Sequence, residues 1–82
     1  MSEKIIFELK WNYNHLLKRY YKGCAYLEKN PLEIDKWKNT LLEILEDMQS
    51  MIEELIQNGV HITNKEILSG FKMDEEKENA MF

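Results

Sequence analysis

The sequence predicts an all-α protein: a long antiparallel helical hairpin, about residues 4–29 and 31–57, followed by a short third helix, about residues 64–69. Three observations carry this prediction. Ile6, Leu9, Tyr13, Leu16, Tyr20, Gly23 and Leu27 recur at alternating steps of three and four, the seam spacing of one helix packed along another. Ile34, Trp37, Leu41, Ile44, Met48, Met51 and Leu55 repeat the pattern. Between the two seams lies Asn30-Pro31, which stops one helix and restarts the next.

The first helix has charged residues outside its seam and no internal proline. The second starts at Asn30 as N-cap, with Pro31 at the first helical position and Glu33 three residues after the cap, a capping-box pattern. It ends near Gln57, where Asn58-Gly59 supplies a left-handed terminator. Each helix then has about 26 residues and a length of roughly 40 Å, so the two pair along their whole extent. Pairing across the turn sets Leu27 with Ile34, Tyr20 with Leu41, Tyr13 with Met48 and Ile6 with Leu55, and puts Gly23 and Cys24 beside Trp37. The mid-helix glycine then makes room for the indole.

Thr63-Asn64-Lys65-Glu66 is a second capping box, with Ile62 and Ile67 as its hydrophobic staple. Gly70 ends this helix after two turns. A helix so short must dock to persist, and Ile62, Ile67, Leu68 and Phe71 are the docking residues. The expected organisation is one helical domain over 1–71 and a disordered acidic tail over 72–82, with Met81 and Phe82 as a weak candidate anchor.

Composition excludes several classes of function. A core of this size is marginal by itself. Cys24 is the only cysteine, so neither an internal disulfide nor a cysteine zinc site is available. No stretch approaches a membrane span and the N-terminus lacks the features of a signal peptide, so a cytoplasmic location without membrane contact is expected. The net charge of −4 argues against nucleic acid as a partner. Residues 1–30 carry a net +3 and residues 31–59 a net −5, as two complementary helices would.

No catalytic, cofactor or metal motif is present, and the expectation is a non-enzymatic protein. Glu43 and Glu46 lie one helical turn apart, but the Glu-x-x-His pairs of di-metal bundles are missing, since Asn12 precedes His15. The run Lys18-Arg19-Tyr20-Tyr21-Lys22 loses its nucleic-acid character once Tyr20 is assigned to the seam and Tyr21 to the apolar flank. Cys24 has no histidine or second cysteine at a motif spacing and reads as a small apolar residue.

Apolar residues outside the seams gather on one flank: Phe7, Leu17, Tyr21 and Cys24 from the first helix; Leu42, Leu45, Ile52 and Ile56 from the second. The third helix is expected to cover Phe7, Ile52 and Ile56 and to fall short of the rest. Leu17, Tyr21, Cys24, Leu42 and Leu45 are therefore the predicted interface, and an apolar patch left open marks a contact site. A homodimer, two hairpins closing into a four-helix bundle, is favoured over docking to a different protein. Further partner surface is offered by Phe7, by the acidic set Glu43, Glu46, Asp47, Glu53 and Glu54, and by Trp11 opposite the seam, for which cover by the C-terminal tail is the equal alternative.

Arg19-Tyr20-Tyr21-Lys22-Gly23-Cys24, Tyr26-Leu27, Lys36-Trp37 and Glu66-Ile67-Leu68-x-Gly70-Phe71 resemble segments of small helical proteins, without an assigned activity, from low-GC Gram-positive bacteria and their phages and prophages. The resemblance covers about residues 10–71. It implies an accessory protein of a mobile element and transfers no catalytic residue. Small acidic phage proteins of that kind also include inhibitors of nucleic-acid-handling host proteins, the alternative reading of the acidic second helix.

Overall fold

A computed structural model of the protein describes residues 3–73. Its helices are α1 (Glu3–Lys29), α2 (Ile34–Gln57) and α3 (Asn64–Ser69), with one 3₁₀ turn, Pro31–Glu33, between the first two. The all-α hairpin with a short third helix is thus the observed architecture, and α1 and α2 pack against each other. The described residues include no strand.

The core is built on the predicted seam. Tyr13, Ile44, Met48 and Leu55 are buried, with Ile6, Leu9, Leu16, Tyr20, Leu41 and Met51 packed against them. Apolar side chains three and four residues apart fall on one stripe of each helix, and burying that stripe drives the pairing. The end of α2 is a Schellman motif. Val60 N donates to Leu55 O at 3.0 Å, Gly59 N donates to Ile56 O at 2.9 Å, and Gly59 takes φ 85°.

The turn differs from the expected capping box. Asn30 makes no cap bond; its Nδ2 donates back to Tyr26 O at 3.0 Å. Glu33 reaches across the turn and accepts from Tyr26 Oη at 2.6 Å and Trp37 Nε1 at 3.3 Å. The tight 3₁₀ turn directs this carboxylate at two ring donors instead of the cap amide.

The register is also shifted near the turn. A β-carbon at Gly23 would lie 2.7 Å from Leu41 Cδ2, so the glycine makes room for Leu41 and not for Trp37. The neighbouring Cys24 thiol is the main cause that raises the Tyr20 pKa. Ile34, expected to pair with Leu27, is largely exposed. Trp37 is exposed too, tied to Glu33 one helical turn earlier.

The α3 capping box forms as the sequence predicts. Glu66 N donates to Thr63 Oγ1 at 3.2 Å and Thr63 N donates to Glu66 Oε1 at 2.9 Å. The backbone bond from Thr63 is the main cause that holds the Glu66 carboxyl below the usual carboxylate range.

Candidate interaction surfaces

The docking of α3 decides which surfaces stay open. Val60 to Thr63 lead the chain away from the open end of the hairpin, and about 3.3 Å per extended residue places α3 over the middle of the apolar flank. There α1 satisfies its last carbonyls. Tyr13 Oη donates to Ile67 O and Tyr21 Oη donates to Leu68 O, both at 2.6 Å. The end of a six-residue helix would otherwise leave these acceptors to water.

Beyond Gly70, at φ 94°, the chain turns back along α1. Asn14 clamps this return. Phe71 N donates to Asn14 Oδ1 at 2.7 Å, and Asn14 Nδ2 donates to Phe71 O at 2.9 Å. Phe71 packs edge-on against Tyr13 with ring centroids 5.4 Å apart, and Lys10 Nζ lies 5.6 Å from its ring centre. Phe71 and Met73 are both core residues, so the docked chain extends past residue 71 to Met73 at least. The expected acidic tail beyond that, with Met81 and Phe82, lies outside the described residues.

This path corrects the predicted interface. Leu17, expected to stay open, is 6% exposed: Gly70 and Phe71 cover it. Tyr21 is reached by α3 through its hydroxyl, although its ring stays exposed. Phe7 and Ile56, expected beneath α3, remain exposed because α3 lies nearer the middle. Cys24 is half-buried. The open apolar face now comprises Tyr21 (47% exposed), Leu42 (55%), Leu45 (38%) and Leu68 (63%). It is continuous: Tyr21 bonds to Leu68, Leu45 shares a groove with Ile67, and Leu42 and Leu45 are one turn apart.

Trp11 is exposed on the outer side of α1 and stacks on His15, ring centroids 3.7 Å apart. His15 Nδ1 lies 3.0 Å from Trp11 O, a bond that requires the proton on Nδ1. Glu43, Glu46, Asp47, Glu53 and Glu54 are all exposed, and the described residues contain no cluster of three or more potential metal ligands. No helix among the described residues is long and apolar enough to cross a membrane.

A second opening was not apparent in the sequence. Between α1 and α2, on the flank away from α3, a cleft of about 400 Å³ is lined by Arg19, Lys22, Gly23, Tyr26, Trp37, Thr40, Leu41 and Ile44. The signal available in the sequence was Gly23 itself, one turn from Tyr26 and across the hairpin from Trp37.

Comparison of the chain with known protein families, with curated proteins and with solved structures finds no match.

Proposed function

We propose that this protein is a non-enzymatic interaction module that works as a homodimer, two copies closing over the face of Tyr21, Leu42, Leu45 and Leu68. The observation that carries this reading is the persistence of that face after α3 and the Phe71–Met73 strap have docked. Four large apolar side chains in one patch are costly in water, and a second copy buries them symmetrically. An 82-residue chain has little core to spare, so burial between copies adds stability that one copy lacks. The resemblance to small proteins of Gram-positive bacteria and phages fits an accessory role in a mobile element. The test is Leu45→Glu, which places a carboxylate in the patch. It is expected to yield a folded monomer; a dimer that survives it overturns this interface.

A second reading rests on the exposed carboxylates of α2. Residues 41–57 hold five acidic groups and no cation. An inhibitor of a nucleic-acid-handling protein would present such a surface in place of phosphates. Neutralising Glu43, Glu46, Asp47, Glu53 and Glu54 would abolish target binding with the fold intact; unchanged binding excludes mimicry.

A further inference from the structure

The turn end of the hairpin holds a surface that the dimer face does not use. Gly23 lacks a side chain and the Leu41 side chain lies against it; together they form the floor of the cleft between α1 and α2. Tyr26 and Trp37 form its walls. Both donate to one carboxylate, Glu33, which fixes the two rings before any ligand arrives. Such fixing reduces the ordering cost of binding. A volume of about 400 Å³ lies at the small end of the range for ligand sites. The trench runs about two helical turns, from Arg19 to Tyr26, roughly 10 Å at about 1.5 Å per residue.

Arg19 and Lys22 stand on the rim, and neither has an ion-pair or hydrogen-bond partner among the described residues. The charge of the protein is divided by end as well as by helix. Residues 18–40 carry a net +3, whereas residues 41–57 carry a net −5. An acidic protein therefore presents an apolar, aromatic cleft bordered by unpaired cations.

We propose that this cleft is a recognition site for an acidic segment of a protein partner, one that carries a bulky apolar side chain. That side chain lies between Tyr26 and Trp37 over Gly23, and its flanking carboxylates meet Arg19 and Lys22. Aromatic walls supply apolar contact, and the guanidinium offers a bidentate fit to a carboxylate. A flat anionic surface fits less well. A trench between two helices admits a single side chain more readily than a lipid headgroup layer. The site lies opposite α3, so it stays open whether or not two copies meet on the other flank.

The experiment uses the full chain and a fluorescein-labelled peptide, Glu-Glu-Asp-Phe-Leu-Glu-Glu, read by fluorescence anisotropy. Saturable binding is expected. It weakens at least tenfold in the Arg19→Glu/Lys22→Glu variant, at least tenfold when the peptide carboxylates become amides, and again when its Phe and Leu become Ser. The milder Arg19→Gln/Lys22→Gln variant, with wild-type helicity and melting, is expected to lose affinity too, which separates recognition from misfolding. Four results overturn the proposal. The peptide does not bind saturably, or its amide form binds equally well. Vesicles with one-third phosphatidylserine bind in preference to the peptide, through the same cations. The Arg19→Glu/Lys22→Glu change halves the mass in solution, so that a second copy occupies the cleft.

Discussion

Replacing Asn14 by Ala is expected to release the lid formed by α3 and the Phe71–Met73 strap. The Asn14 amide holds both polar groups of Phe71, with bonds of 2.7 and 2.9 Å. Alanine removes two hydrogen bonds and leaves a donor and an acceptor beside a buried phenyl ring. A hydrogen bond contributes about 1 kcal/mol net, and a stranded partner adds desolvation cost, so the expected loss is about 2–3 kcal/mol for this half-buried pair. The hairpin seam is untouched, so the loss falls on lid docking before it falls on the whole fold. Amide hydrogen exchange resolves the two. Protection of residues 66–71 is expected to fall roughly 30- to 150-fold, at about 1.4 kcal/mol per factor of ten. Exchange at Ile44, Met48 and Leu55 is expected to change far less. Asn14→Asp keeps an acceptor for Phe71 N and loses the donor to Phe71 O, so its loss is intermediate. A fall of less than about threefold in lid protection for Asn14→Ala would refute the clamp, given the energies assigned to such bonds.

Two other substitutions and the dimer test follow from the same geometry. Gly23→Ala brings a β-carbon to 2.7 Å from Leu41 Cδ2, the tip of a flexible side chain beside the open cleft. Leu41 is expected to swing aside, and the gain in helix propensity of about 1 kcal/mol offsets the shift, leaving thermal stability nearly unchanged; a loss above about 2 kcal/mol would mean that Leu41 cannot move. The Glu66 carboxyl has a depressed pKa in the folded state, so its contribution to lid stability is fully present above the unfolded value and lost as pH falls through the folded one. Lid protection, taken relative to the intrinsic exchange rate at each pH, is expected to fall on acidification below the ordinary carboxylate range. Glu66→Gln, which retains an acceptor for Thr63 N, should flatten that dependence; an unchanged pH profile in this variant would assign it to another group. Leu45→Glu should separate the two copies and leave helicity intact.

Much of the fold was legible because it depends on local rules. The alternating three-four spacing fixed the seam, Asn58-Gly59 marked a Schellman end, and Thr63 with Glu66 marked α3 to the residue. The features that sequence missed are set by contacts between distant segments. Asn14 is one polar residue in a charged helix, and its role appears only when Phe71, 57 positions later, lies against it. Leu17 is buried beneath Gly70 and Phe71, and Met73 is buried although it falls in the mostly charged stretch after residue 71, which has no periodic apolar face. A mid-helix glycine marks Gly23 as a place of close approach, but an ideal register pairs it with Trp37 where the structure has Leu41. An ideal register across the turn cannot anticipate that Glu33 holds Trp37 and Tyr26 together or that Leu41 lies over the glycine. Of the residues expected on the open apolar flank, Leu42 and Leu45 are exposed and Leu17 is covered, while Leu68 of α3 is exposed.

Absolute mass in solution, by light scattering behind size exclusion over a range of protein concentrations, tests the dimer most directly. A mass of twice the chain's 9.9 kDa that falls to one chain in Leu45→Glu is the predicted result. A native protein that stays at 9.9 kDa at every concentration would contradict it, and would leave Tyr21, Leu42, Leu45 and Leu68 to a different protein.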